Sequence, residues 1–178
     1  MVTQIELVKS NELEQLRQLS ITTFKATFED GGYTDEDFEQ YFNEAYNVEQ
    51  LNKELENESS FTYFYKENEE IVGYFKLNIN QAQSEEKGNE YLEIQRIYFL
   101  PKSQGGGRGK HVFEFAIEKA RELKKTKIWL GVWEHNKQAL NFYEKQGLHV
   151  TGEHHFYTGN VVDLSLIHIS EPTRQEAI

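Results

Sequence analysis

The sequence contains no cysteine, which excludes disulfides, thiolate zinc sites and a cysteine nucleophile by counting alone. It has no apolar stretch near the roughly 18 residues needed to span a bilayer, and its N-terminus carries neither the basic flank nor the apolar run of a signal peptide. These absences predict a soluble, cytoplasmic protein with no membrane partner. Basic residues are in deficit as well: 19 Lys and Arg stand against 30 Asp and Glu, a formal net charge of -11. Such an acidic excess repels a polyphosphate backbone and attracts cations, which disfavours a nucleic-acid partner and favours one that carries an amine. What the chain does have is core material. Its 178 residues suit one domain, and with 38% hydrophobic and 13% aromatic residues it is too apolar for a disordered chain.

Periodicity then predicts the elements. Gln4 to Val8 reads as a short strand, and Ser10-Asn11 offer an N-cap for a helix carrying Leu13, Leu16, Leu19, Phe24 and Phe28, ended by Gly31-Gly32. Helices follow from about Thr34 and from Val48 to Leu55. Phe61, Tyr63 and Tyr65 then alternate, Asn68-Glu69 form a turn, and Ile71 to Ile79 continue as the second strand of a hairpin. The polar segment Gln81 to Asn89 reads as a loop. Tyr91 to Leu100 is a strand stopped by Pro101, and glycines at 105, 106, 107 and 109 lead into a helix with Val112, Phe113, Ala116, Ile117, Ala120 and Leu123 at spacings of three and four. Lys127 to Trp133 and His149 to Tyr157 are further strands, flanking a short helix over Asn136 to Gln146. The class is α+β, in one domain without internal repeats.

Strand, glycine loop, helix is an anion cradle, because the first helical N–H groups have no intrahelical acceptor and the helix dipole is positive there. The phosphate-loop pattern fails, with Gln104 at its first glycine and His111 at its hydroxyl position, and the dinucleotide pattern meets Lys110 or Val112 where it needs glycine. The segment does match Q/R-x-x-G-x-G/A through Gln104, Gly107 and Gly109. Before it stands Glu93-Ile94-Gln95-Arg96-Ile97-Tyr98-Phe99, and after it Trp133 to Gly147, including Asn136 and Asn141-Phe142-Tyr143. In these three blocks the chain resembles the GCN5-related N-acetyltransferase (GNAT) superfamily, over roughly residues 3 to 163. Thr23-Phe24-Lys25-Ala26-Thr27-Phe28 and the acidic helix after it are similar to the PaiA-like polyamine acetyltransferase branch.

The resemblance implies a mixed central sheet with helices on both faces and splayed fourth and fifth strands, acetyl-CoA as acetyl donor, and no metal. It places Gln104, Gly105, Gly106, Gly107, Arg108, Gly109 and Lys110 around the pyrophosphate, although the Arg108 side chain could equally sit in water. Backbone groups of Ile97, Tyr98 and Phe99 would pair with pantetheine, one N–H stabilising the tetrahedral oxyanion, while the same strand fills the core. An alkylamine with a pKa of about 10.4 must lose a proton before it attacks. Glu93 stands at the strand position of the general base in histone-acetylating members, where it would act directly or through a water; the other reading makes it a structural or substrate-binding carboxylate, with another residue or a water chain as the base. Tyr143 corresponds to the tyrosine that protonates the leaving thiolate, or it is a buried aromatic; Asn136 would hydrogen-bond pantetheine, or cap its own helix.

Nothing in the histidines competes. His154 and His155 are adjacent on a strand pattern and point to opposite faces, and neither H-E-x-x-H nor a G-x-S-x-G elbow occurs. The run Leu164 to Arg174 does not resemble the family's ending; it matches the in-frame translation of a transposase adapter used in sequencing libraries. We therefore expect residues 1–163 to be the acetyltransferase domain, 164–178 to be non-native, and the family's last strand to be missing or replaced. Trimming removes only Glu171, Glu176 and Arg174, so the acidity persists. The expected activity is acetyl transfer to a cationic small-molecule amine such as spermidine, by direct attack on the thioester. Acetylation of a protein, peptide or small toxic amine is the alternative among enzymes, and a non-catalytic acyl-CoA sensor the alternative outside them. The residues do not give the oligomeric state; a homodimer is an option only because members of this family often form one.

Overall fold

The computed structural model describes residues 2–158 and 161–170, with side chains described as far as Glu153. Chain order is β1 (Thr3–Leu7), α1 (Leu13–Phe28), α2 (Asp35–Ala45), α3 (Val48–Glu56), β2 (Ser60–Glu67), β3 (Glu70–Ile79), β4 (Tyr91–Phe99), α4 (Arg108–Glu122), β5 (Lys127–Trp133), α5 (Lys137–Lys145), β6 (His149–Thr158) and β7 (Val161–Ser170). The strands form one sheet in the order β1-β2-β3-β4-β5-β7-β6, antiparallel except for the β4–β5 pair.

Local chemistry sets most boundaries. Thr34 and Asp37 make a reciprocal cap at the start of α2, the Thr34 hydroxyl accepting from the Asp37 N–H at 3.1 Å and the Asp37 carboxylate from the Thr34 N–H at 3.0 Å. The Asn47 side chain caps α3 through the Gln50 N–H at 2.7 Å. At α1 the expectation of a Ser10-Asn11 cap is corrected: residues 10–12 form a 3₁₀ turn, and the Glu12 carboxylate takes the Lys9 N–H at 2.9 Å instead. The β2–β3 turn runs through Asn68 and Glu69 at φ 50° and 70°, the left-handed pair of a tight hairpin. Residues 80–82, expected within or beside a loop, make a short 3₁₀ turn.

Alternation in β2 sends Tyr63 and Tyr65 to one face of the sheet and Phe64 to the other. On the first face α4 and α5 cover Leu77, Leu92, Ile94, Ile128 and Leu130 with Val112, Phe113, Ala116, Ala120 and Tyr143. On the second, α1, α2 and α3 cover Phe64 and Tyr74 with Leu16, Phe24, Phe28, Phe42, Tyr46 and Leu51.

The sheet opens at one place. Pairing of β4 with β5 runs only from Tyr91↔Lys127 to Ile94↔Leu130. On the other side of β4, Lys76 faces Arg96 while Leu77 faces Ile94, so Gln95 is an extra residue, a bulge that bends the strand away. β5 instead continues along β7, with Gly131↔Ile167, Val132↔Leu166 and Trp133↔Ser165. The edge of β4 from Gln95 to Phe99 is thereby left open toward β5, as the splay expected for these two strands. The backbone of Leu164–Ser170 occupies the last-strand position between β5 and β6.

Candidate active site

The open edge of β4 brings Ile97, Tyr98 and Phe99, all partly exposed, to the wall of a cleft whose other wall is the end of β5. At one end of this cleft lies the glycine loop. Gly105, Gly106 and Gly107 adopt φ of 80°, 63° and 80° in succession, a left-handed run that side-chain-bearing residues rarely tolerate. Space beside Gly105 and Gly107 is open, with nothing within 4 Å of where a Cβ would stand. Among the described residues the N–H groups of Gly106, Gly107, Gly109 and Lys110 have no backbone acceptor, whereas Arg108 N–H donates to the Gly105 carbonyl at 3.2 Å and His111 N–H to that of Gly107 at 3.0 Å. Four open donors at a helix N-terminus, on a backbone with no side chains in the way, fit a pyrophosphate. Gln104 is exposed at the mouth, and the Lys110 ammonium is exposed, 4.0 Å from Glu114. The Arg108 side chain is turned elsewhere: its Nε and Nη2 donate to the Glu67 carboxylate at 2.8 and 2.9 Å.

Tyr143 projects from α5 into the apolar core beside Phe113 and Phe142, with only 6% of its surface exposed. Burial raises its phenol well above the ordinary 10, so it holds its proton throughout the neutral range. The Tyr98 phenol, in the core on the other face of the sheet, is likewise held protonated, chiefly by burial. Asn136 realises its structural reading: its Oδ1 caps α5 by accepting the Ala139 N–H at 3.1 Å, which leaves the amide N–H₂ as its remaining donor group.

Glu93 is 2% exposed and well supplied with donors. Its carboxylate accepts from Asn78 Nδ2 at 2.9 Å, from the Ser84 N–H at 2.8 Å and from the Ser84 hydroxyl in a very short contact. Ser84 itself is exposed, so the hydroxyl links the carboxylate to the surface. Of the acidic residues near the first helices, Glu29, Asp30, Asp35 and Glu36 are exposed, while Asp37 is used in the α2 cap.

The larger charged feature was not visible in any motif. Arg96, on the bulged stretch of β4, makes a double hydrogen bond to Glu54 of α3 at 2.7 and 3.3 Å, with side chains 11% and 14% exposed. Its guanidinium lies 5.3 Å from the centre of the Tyr46 ring, and Tyr74, Tyr98 and Tyr41 are within its electrostatic reach. Burial alone would raise the Glu54 carboxyl, but the Arg96 charge and its hydrogen bonds hold it below the ordinary value. Beside the pair, Lys76 is 4% exposed and donates to Asn78 Oδ1 at 2.8 Å and Gln95 Oε1 at 2.5 Å. Desolvation first, and the Arg96 charge second, lower its ammonium from 10.5 to about 8. Partners 42 positions apart leave no local pattern, which is why sequence reasoning passed over Arg96 and Glu54.

Among the described residues no three His, Asp or Glu side chains form a group that could hold a metal, and no helix is long and apolar enough to cross a membrane. His155 and the expected opposition of His154 and His155 lie outside the described side chains.

Known proteins share this arrangement. An uncharacterized N-acetyltransferase in the pepI 3′ region of Lactobacillus delbrueckii subsp. lactis is 41% identical over 157 residues, covering 88% of this chain and 90% of that one. A spermine/spermidine N(1)-acetyltransferase of Bacillus subtilis is 28% identical over 85 residues, 47% of this chain and 56% of its own length. In three dimensions the PaiA N-acetyltransferase of Thermoplasma acidophilum, solved with coenzyme A, superposes with a TM-score of 0.78 at 20% identity, over 96% of this chain and 99% of that one. The spermidine/spermine N-acetyltransferase SpeG of Vibrio cholerae gives 0.69 at 17% identity, over 98% and 95%. The model of the acetyltransferase (GNAT) family matches residues 13–148, a span that contains the glycine loop, the open edge of β4 and Tyr143. A splayed sheet with this loop at one end of its cleft therefore has its counterpart in sequence, and the chain belongs to the GNAT family as an N-acetyltransferase.

Proposed function

We propose that this chain transfers the acetyl group of acetyl-CoA to a primary amine of a polyamine such as spermidine, in the cytoplasm and without a covalent enzyme intermediate. The observation that carries the reading is the pairing of four open amides, those of Gly106, Gly107, Gly109 and Lys110, with the unpaired edge of β4 that leads to them, while α5 carries the buried phenol of Tyr143. Bound there, acetyl-CoA supplies a thioester-activated acetyl group. The loop amides hold its pyrophosphate, the Ile97 to Phe99 backbone holds its pantetheine with the Asn136 amide, and Tyr143, kept protonated by burial, donates to the departing sulfur. Glu93, with its carboxylate held by Asn78 and Ser84, draws a proton from the acceptor through the exposed Ser84 hydroxyl rather than by direct contact.

The acceptor class is supported by the net charge of -11, by exposed Glu29, Asp30, Asp35 and Glu36, and by relatives whose names specify spermine or spermidine. The test is thiol release from acetyl-CoA against polyamines, lysine and N-terminal peptides, and antibiotic amines. Highest kcat/KM with spermidine or spermine is expected; preference for a peptide or antibiotic overturns the polyamine assignment, and binding of acetyl-CoA without thiol release for any amine would make the chain a sensor. The same reading takes residues 1–163 as the functional domain and Leu164–Ile178 as a non-native tail. The tail assignment fails if an independently amplified genomic copy encodes the same ending.

A further inference from the structure

We infer that Arg108 and Glu67 form a clamp that holds the glycine loop in its binding shape, so that Arg108 is a positioning residue and not a phosphate ligand. This rests on the acetyl-CoA reading of the cleft. Three consecutive glycines at positive φ have much conformational freedom to lose, and Gln104 through Gly107 are exposed, so nothing packs them into place. Arg108 supplies the missing restraint. Nε and Nη2 grip both oxygens of Glu67 at 2.8 and 2.9 Å, and Nη1 reaches back to the Gly105 carbonyl at 3.3 Å. The backbone N–H of the same residue donates to that carbonyl at 3.2 Å, so one residue closes on the first glycine twice. The guanidinium folds over Gly106, where a Cβ would come within 2.9 Å of Nη1.

The far end of the clamp is fixed. Glu67 is the last residue of β2 and pairs with Thr3 of β1 and Glu70 of β3. Two residues earlier on β2, the Tyr65 hydroxyl hydrogen-bonds His111 Nδ1 at 2.8 Å, and His111 stands three residues after Arg108 on α4. A strand repeat of two thus meets a helix repeat of three, giving two struts from the sheet to the first turn of α4. The Arg108 and Glu67 side chains are 19% and 12% exposed and joined by two hydrogen bonds, so a phosphate could recruit Arg108 only by displacing a two-pronged carboxylate.

The two roles predict opposite signs. If Arg108 were a phosphate ligand, Glu67 would compete with the phosphate, and Glu67→Gln would tighten coenzyme A binding. As a clamp, Glu67→Gln and Arg108→Ala each weaken binding by about tenfold through lost preorganisation, and the double variant is no weaker than either single one. Calorimetry with coenzyme A reads this, together with hydrogen exchange of amides 105–109 in the unliganded protein, which the clamp predicts to quicken in both variants. In turnover the effect falls mainly on KM for acetyl-CoA, with little change in kcat or in KM for the amine. Arg108→Lys, which keeps the charge and loses the fork, behaves like alanine under the clamp. Should any variant fold poorly, the exchange rates and Arg108→Lys decide the matter in those that fold. Coenzyme A affinity unchanged or tightened in Glu67→Gln, while the wild type binds, overturns the clamp alone; absence of binding by the wild type overturns the acetyl-CoA reading and the clamp with it.

Discussion

On one face of the sheet, α4 and α5 meet an apolar surface of aliphatic and aromatic side chains without a buried charge among them, while on the other, α1 to α3 pack aromatic rings around an arginine, a lysine and two carboxylates. The first face gains its stability from apolar area and close packing, and many sequences of similar volume would serve. The second bears the desolvation of Arg96, Glu54, Lys76 and Glu93, each of which has to be matched by a specific partner. In the proposed reading donor binding uses mainly backbone groups, which need only a well-placed scaffold. Recognition of an acceptor needs particular side chains, and the chemically particular face is the one beside the acidic α1–α2 segment.

The largest effect that would test this contrast is Glu54→Ala. It leaves the Arg96 guanidinium buried among tyrosines without its carboxylate, and should cost about 3–5 kcal/mol of stability. Where the variant remains folded, coenzyme A affinity should change less than about twofold while KM for the amine rises. Loss of coenzyme A binding in the folded variant would show that the faces are not separable. Because the native Glu54 carboxyl lies below its ordinary value, its stabilisation is fully present above the unfolded carboxylate range and is lost as pH falls through the lowered native value. Acid titration of stability should therefore separate wild type from Glu54→Gln in that window.

Lys76 gives the next effect, and the sign is opposite to that of a surface lysine. Unfolded, it stays protonated up to 10.5; native, it releases its proton from about 8. Between those values the unfolded state holds more protons, so stability rises with pH, by roughly 3 kcal/mol at most for the full shift. Urea denaturation at intervals across this window should show the rise in wild type relative to Lys76→Met, a difference in which the common titration of tyrosines cancels. A parallel course for the two proteins would mean that Lys76 titrates as if exposed.

The apolar positions of both faces were legible in the sequence, including the α1 stripe from Leu13 to Phe28; the charged partners of the second face were not. Spacings of three and four from Val112 to Leu123 defined α4, alternation at Phe61, Tyr63 and Tyr65 defined β2, and glycines at 105 to 109 marked the cradle, because each is a local pattern. The charged partners are not local. Arg96 finds Glu54 across 42 positions, Glu67 finds Arg108 across 41, and Glu93 meets Asn78 and Ser84 only after the hairpin folds. Nothing in Val48 to Glu56 distinguishes Glu54 from its exposed neighbours until α3 packs against β4. The Ser10-Asn11 cap failed for a smaller reason of the same kind, since the Glu12 carboxylate could reach the Lys9 N–H first.

Tyr143→Phe acts on the first face. The ring can keep its packing against Phe113, so stability should hold, while kcat should fall about 100-fold through loss of the proton donor. Coenzyme A affinity should be retained. An unchanged kcat would leave Tyr143 as one more buried aromatic of the first face.

The smallest effect separates two uses of a single side chain. Asn136 Oδ1 caps α5 through the Ala139 N–H, and its amide N–H₂ is the group proposed to reach pantetheine. Asn136→Ala removes both and should cost about 1 kcal/mol in stability, the usual worth of an N-cap. Asn136→Asp keeps an oxygen for the cap and removes the donor, so its stability should stay within about 0.5 kcal/mol of wild type. If the amide serves the donor substrate, both variants raise KM for acetyl-CoA, although only one of them loosens the helix. If KM follows stability instead, rising in Asn136→Ala and not in Asn136→Asp, then the residue serves α5 alone, and the proposed donor site would rest on backbone groups to an even greater degree.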